Sequence, residues 1–147
     1  MNKIIELPFR VAEGLNKSAD IAGYFGFAQR QSSYYREAAE ALKLVKLDEG
    51  NIYTLTPTGR KFTTLPIEKR NQLLCRQMMD LPIIKEILSN LYEKKTLTFT
   101  EVARIIGYNT NLTGETPARR ASCLKNWFYW LYSATGMIKV SKTRLFL

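Results

Sequence analysis

Histidine is absent from this 147-residue chain, and that single absence removes much of protein chemistry. Without imidazole there is no His-based acid–base pair and no nucleophile activated by one. Cysteine is almost as scarce: Cys75 and Cys123 stand far apart, without CxxC or other metal-ligand spacing. A zinc finger is therefore excluded, and both thiols read as small apolar residues of a reducing cytosol. No GxxxxGK phosphate loop occurs. The longest aromatic run, Trp127 to Tyr132, is too short to span a bilayer. Glu6 and Pro8 interrupt the N-terminal stretch too early for a signal peptide, so a cytoplasmic location is expected. Low-complexity tails and flexible linkers are missing too. Acids are few, 13 against 22 Lys and Arg, which leaves a net charge of +9. A balance that basic suits an anionic partner. From Lys94 onward nine basic residues face only Glu101 and Glu115, a local charge of +7.

What is present is a repeat. Asp20-Ile21-Ala22-Gly23-Tyr24-Phe25-Gly26-Phe27 recurs as Glu101-Val102-Ala103-Arg104-Ile105-Ile106-Gly107-Tyr108. The columns run acid, β-branched, Ala, variable, apolar, apolar, Gly, aromatic. Each copy reads as a short helix ended by its glycine and leading to a second helix that carries arginines. That is the pattern of a helix-turn-helix, written twice.

Around the first copy, a helix is expected within Leu7–Leu15, begun near Pro8, and a second from Ser18, which can act as its cap. A third is expected over about Gln29–Leu42, with Tyr35, Ala38, Ala39 and Leu42 at i, i+3, i+4, i+7 as its buried face. Leu44–Leu47 and Ile52–Leu55, around Asp48-Glu49-Gly50-Asn51, read as a β-hairpin. Three helices and a hairpin follow the winged-helix plan. Pro66 opens a further helix to about Asp80, with Ile67, Leu74 and Met78 buried, and Pro82 opens another through Leu91. Lys94-Lys95-Thr96 marks a turn, and Thr100 is expected to cap the second copy. A polar loop, Asn109 to Gly114, then leads to a long helix from Thr116 or Pro117 to Tyr132. A last hairpin pairs Met137–Val140 with Arg144–Leu147. The expected class is mainly α with small β-hairpins, a tandem winged helix-turn-helix. Its divisions are 1–65, a connecting helix at 66–81, and 82–147.

A recognition helix needs hydrogen-bonding side chains near its N-terminal end, where it enters the major groove. In the first unit Gln29, Arg30, Gln31, Ser32, Ser33, Tyr34 and Arg36 are the candidates. Arg can bridge O6 and N7 of guanine, and Gln can bridge N6 and N7 of adenine. The bland reading is a solvated helix surface, and Glu37 and Glu40 would repel phosphates. In the second unit Asn109, Asn111, Thr113, Thr116, Arg119, Arg120, Ser122, Lys125 and Asn126 are the candidates, with Arg120 and Lys125 placed for phosphates. Lys46, Asn51, Lys142 and Arg144 sit on the wings. The run Trp127–Tyr132, apolar all round, is expected to be buried on more than one side. Its sharper reading is a seat for another domain or a second copy. Glu68-Lys69 and Glu93-Lys94-Lys95 are only a faint echo of a metal-dependent nuclease, with no strand-borne aspartate near them.

The stretch Ile21-Ala22 through Phe27-Ala28-Gln29-Arg30-Gln31-Ser32-Ser33-Tyr34-Tyr35-Arg36-Glu37-Ala38-Ala39 resembles winged-helix modules that accompany type II restriction endonucleases. Leu42-Lys43-Leu44-Val45 with Tyr53-Thr54-Leu55-Thr56-Pro57-Thr58-Gly59 fits the same pattern, as does Thr116-Pro117-Ala118-Arg119-Arg120 with Trp127 and Trp130-Leu131. The resemblance covers most of the chain. It implies a target-recognition module that reads duplex DNA while a separate nuclease domain cuts, with contacts from Arg30, Gln31, Tyr34, Arg119 and Arg120. It also implies no catalytic residue and no cofactor here, Mg²⁺ entering only with a nuclease domain. No nuclease domain follows Leu147, so the expectation is a recognition half or a free-standing binder. A winged-helix transcription regulator and a protein-interaction module are the competing readings.

Overall fold

The computed structural model describes residues 1–25, 29–109 and 116–147, and the side chains of these other than 29–34, 109 and 116–119. The chain is mainly helical with two small antiparallel sheets. It divides into two compact units, Met1–Met78 and Met79–Leu147.

The first unit begins with α1 (Asn2–Ala12), which starts well before Pro8 and carries that proline inside it. Pro8 has no N–H for the Ile4 carbonyl, a loss that costs about 3 kcal/mol in a helix interior. Ile4, Leu7 and Val11, spaced on one face, are all buried, and each such burial returns roughly 2 kcal/mol. The amphipathic face therefore overrides the proline. Next come α2 (Ser18–Phe25) and α3 (Gln29–Ala41). Ala38, Ala39 and Leu42 are buried at the end of α3, and both α1 and α2 pack on it.

Strands β1 (Val45–Asp48) and β2 (Ile52–Leu55) pair from Val45↔Leu55 to Asp48↔Ile52. The turn between them takes Gly50 at φ 74° and Asn51 at φ 58°. Lys17 adds a single antiparallel pairing with Ile52, and the Tyr53 N–H donates to the Asn16 carbonyl at 2.7 Å. Then α4 (Pro57–Thr64) is capped by Thr56, whose hydroxyl accepts from the Gly59 N–H at 2.9 Å. Phe62 of α4 is fully buried and packs its ring 5.8 Å from that of Phe9. Helix α5 (Ile67–Met79) buries Leu74 and Met78, but Ile67 at its first turn is 64% exposed. The expected burial of Ile67 fails because it stands at the start of α5, seven residues before Leu74, where the buried face begins.

The second unit keeps the order of three helices and a hairpin and adds a strand between its first two helices. It runs α6 (Pro82–Lys94), β3 (Thr96–Thr98), α7 (Phe99–Asn109), α8 (Thr116–Thr135), β4 (Lys139–Val140) and β5 (Arg144–Phe146). The sheet order is β3-β5-β4, all antiparallel, with Leu97↔Leu145 and Val140↔Leu145 in register. Strand β3 takes the place of the expected turn at Thr96. The helix that follows is capped by Thr98, not Thr100. The Thr98 hydroxyl accepts from the Glu101 N–H at 3.1 Å, and the Glu101 carboxylate accepts from the Thr98 N–H at 3.1 Å. This is a reciprocal capping box. Gly107 does not end α7, which continues to Asn109; a lone glycine weakens a helix by only about 1 kcal/mol.

Helix α8 runs on to Thr135 and ends at Gly136, at φ 70°, whose N–H donates to the Tyr132 carbonyl. Its aromatic run is buried on one side only. Trp127, Phe128 and Leu131 face the core, while Tyr129 and Tyr132 are exposed. A tyrosine can lay its ring on the surface and keep its hydroxyl in water.

Candidate nucleic-acid interface

In the second unit three elements meet at the hairpin turn. The Phe99 N–H, at the start of α7, donates to the Thr143 carbonyl at 2.9 Å. Lys125 of α8 donates to the Lys142 carbonyl, and its ammonium lies 5.1 Å from the centre of the Phe99 ring. Arg144 reaches Thr96 of β3 at 3.4 Å. The turn is thus fastened to both helices of the repeated motif. Arg120, Ser122 and Asn126 of α8 are exposed, as are Lys139, Lys142 and Arg144 of the hairpin. Lys125, between Ser122 and Asn126 in sequence, is the residue whose bond joins α8 to this basic hairpin.

The first unit is tied by the same logic. Arg36 of α3 is buried, 9% exposed, and donates to the Ser18 hydroxyl at 2.6 Å. Ser18 in turn donates to the Asn51 carbonyl in the hairpin turn, at 3.4 Å. The Arg36 guanidinium also lies 5.5 Å from the centre of the Tyr53 ring. Burial pushes the Tyr53 phenol up, and the guanidinium opposes that shift. Two sequence expectations change here. Ser18 is the first residue of α2, with its hydroxyl engaged by Arg36 and Asn51. Arg36 is not on the open face of α3 with Glu37 and Glu40, which are exposed, but turned inward. A 13-residue helix gives one side to its core, and Arg36 lies at that border, beside Ala39.

Other candidates fall as follows. Gln29, Arg30, Gln31, Ser32, Ser33 and Tyr34 form the first turns of α3, Asn109 ends α7, and Thr116 and Arg119 begin α8, but their side chains lie outside the described residues. Asn111 and Thr113 lie outside the described residues altogether. Lys46 is exposed on β1. The hairpin tips differ in charge. That of the first unit carries Asp48 and Glu49, that of the second Lys142. Over the whole units, 12 basic residues stand against 8 acidic in Met1–Met78, and 10 against 5 in Met79–Leu147.

Residues 3–136 match the family described as "Domain of unknown function (DUF7226)". The chain belongs to that family. The match takes in the first unit and the second as far as the end of α8. No curated protein and no solved structure gives a significant match.

Within the repeat, the two copies agree at the second column. Ile21 and Val102 share a column and are both buried. They differ where the surface is open. Gly23, with nothing within 4 Å of a Cβ placed there, corresponds to exposed Arg104. One turn further, Tyr108 is 92% exposed. Arg104 and Tyr108 therefore form an outward i, i+4 pair on α7, which helical position and charge alone do not single out. The signal that could have found it is the variable column of the repeat itself.

Glu68 and Lys69 are exposed on α5, and Glu93 lies near the end of α6. Lys94 is engaged by Glu101 at 3.2 Å. Among the described residues no three His, Cys, Asp or Glu side chains are grouped to hold a metal ion, and no helix is long and apolar enough to cross a membrane.

Proposed function

We propose that this chain binds duplex DNA through two winged helix-turn-helix units. In each, α3 or α8 enters the major groove and the β1–β2 or β4–β5 hairpin is the wing. The order helix, extended segment, helix, helix, two strands occurs in both units. In both, the segment before the second helix pairs with the last strand, Lys17 with Ile52 and Leu97 with Leu145. That arrangement supports the winged-helix reading independently of the repeated octet.

The observation that carries the reading is that α8, with Arg120, Ser122 and Asn126 exposed, is bonded through Lys125 to a hairpin whose Lys142 and Arg144 are exposed. Arginine and lysine at such an edge neutralise phosphates, while Ser and Asn can address base edges. Arg104 extends the same basic character onto α7. In the first unit the polar series Gln29 to Tyr34 opens the corresponding helix. The narrower form of the proposal is a sequence-specific recognition module of the restriction-endonuclease type, cytoplasmic and non-catalytic by itself. A protein-interaction module is the second reading, favoured by exposed Tyr129, Tyr132 and Met137.

The test is selection from a randomised duplex pool at two salt concentrations. One enriched motif that survives the higher salt is expected. Binding with no enrichment would remove sequence specificity, and no salt-sensitive duplex binding at all would overturn the proposal. An asymmetric motif bound by a monomer fits the restriction-type reader, and a palindrome bound by a dimer fits a regulator. Arg120→Ala should weaken binding and lower the salt slope by about 1.

A further inference from the structure

We infer that Arg36 and Lys125 are positioning residues, a pair of equivalent latches that fix each hairpin turn against its motif. On this reading they are not themselves ligands of the nucleic acid. The inference rests on the duplex-binding reading and reassigns two residues that helical position alone marks as DNA contacts.

The geometry is the same in both units although the atoms differ. In the repeat alignment Asp20 corresponds to Glu101, so Ser18 corresponds to Phe99. That shared column receives the long cation of the next helix in each unit. Ser18 accepts the Arg36 guanidinium through its hydroxyl, and Phe99 receives the Lys125 ammonium over its ring face. In each unit the same cluster holds a carbonyl of the hairpin turn, Asn51 through Ser18 and Lys142 through Lys125. Two different chemistries thus converge on one mechanical result, a turn tied to the start of the second helix and the flank of the third. Lys125 is held by a carbonyl and a ring face, and Arg36 by a hydroxyl and a ring face, so each cation is drawn onto its own unit. Arg36 is almost wholly buried besides. Lys142, whose carbonyl is held, keeps its own ammonium exposed, so the latch aims a phosphate-binding side chain.

The experiment uses the full chain and a mixed-sequence duplex, with affinity measured across a salt series for Lys125→Gln, Lys142→Gln and the double variant. Removing one phosphate ligand lowers the slope of log K against log salt by about 0.9. If Lys125 positions Lys142, the double variant has the slope of Lys142→Gln alone. If Lys125 is itself a phosphate ligand, the two reductions add to about 1.8, and the inference is overturned. A merely structural role would lower affinity at all salts without this coupling. Lys125→Arg, which keeps a cation and a donor, should restore the wild-type slope; failure of that rescue also counts against the latch.

A second arm is independent of DNA. Amide hydrogen exchange at Lys142, Thr143 and Arg144 should quicken in Lys125→Gln, and exchange at Asn51 and Ile52 in Arg36→Gln. Unchanged exchange at both turns overturns the inference even if DNA binds. If the wild-type chain binds no duplex while both turns loosen as expected, the duplex-binding proposal fails and the latches stand.

Discussion

Replacing Gly59 by alanine tests whether the first unit is as closely packed as its geometry implies. Gly59 lies in the first turn of α4, where the chain passes directly over Leu44. A Cβ at this position would sit 2.9 Å from the Leu44 carbonyl carbon, 3.3 Å from its Cα, and closer still to the oxygen. Ordinary carbon contacts need about 3.5–4.0 Å, so α4 or the Leu44 backbone must give by roughly 1 Å. Neither is free to do so. The Leu44 carbonyl accepts from the Thr56 N–H at 3.2 Å, and also from the Thr56 hydroxyl. That same hydroxyl caps α4 through the Gly59 N–H. Phe62, fully buried, is carried by α4.

The expected cost combines overpacking, about 1–3 kcal/mol, with the weakening of two or three hydrogen bonds at about 1 kcal/mol each. Alanine's better helix propensity offsets about 1 kcal/mol. A net loss of about 3 kcal/mol follows, against roughly 4–12 kcal/mol for a unit of this size. In thermal unfolding that corresponds to more than about 10 °C. Gly23→Ala is the control: Gly23 lies in α2 with nothing within 4 Å of the new methyl, so a gain of about 0.5–1 kcal/mol is expected. The assay is urea unfolding by circular dichroism, with amide exchange at Tyr53 and Leu55 to place the loss in the first unit. Equal, near-neutral effects of the two substitutions would refute the reasoning.

Three further outcomes are expected. Thr98→Ala removes the cap of α7 and should cost about 1 kcal/mol in urea unfolding, whereas Thr100→Ala should cost little. Hydrogen bonding from the Thr98 N–H, and then from Lys94, holds the Glu101 carboxyl below its ordinary value. Its contribution to stability should therefore be fully present above the ordinary Glu range and fade as pH falls through the lowered value. Comparing wild type with Glu101→Gln across pH 3–7 (about this range suffices) should show the two curves converging at the acid end. Lys95 takes φ 67° at the end of α6, a conformation that costs a side-chain-bearing residue about 1 kcal/mol. Lys95→Gly should accordingly be neutral to stabilising by up to about 1 kcal/mol in thermal unfolding, and a clear loss would contradict the backbone conformation.

The sequence disclosed those parts of the fold that depend on local pattern. The i, i+3, i+4, i+7 spacing at Ala38, Ala39 and Leu42 marked the buried side of α3. Asp48-Glu49-Gly50-Asn51 marked the first hairpin turn, since Gly50 and Asn51 both take positive φ. What escaped depended on distant partners. Strand β3 is only Thr96 to Thr98, and it is a strand because β5, almost fifty residues later, pairs with it. Thr98 was missed as the cap of α7 because it ends β3, where the local pattern shows only a turn. Pro8 read as a helix start because no local rule announces that Ile4 and Leu7 will both be buried. The candidate interface was legible as a charge distribution and as two helices. The inward turn of Arg36 was not, because it depends on Ser18 and Tyr53 meeting it from other elements.

The sheet order of the second unit has a consequence for how the chain is made. Its last strand in sequence, β5, is the middle strand in space, between β3 and β4. Leu97, buried in the finished protein, cannot find Leu145 until synthesis has advanced some fifty residues, roughly 3–10 s at ordinary translation rates. In the first unit β1 and β2 are consecutive, so that hairpin can pair without such a wait. The β1–β2 hairpin would thus be paired early, while the second unit still shows β3 as an open edge. Mishaps of assembly, and the attention of chaperones, should accordingly concentrate on the C-terminal half.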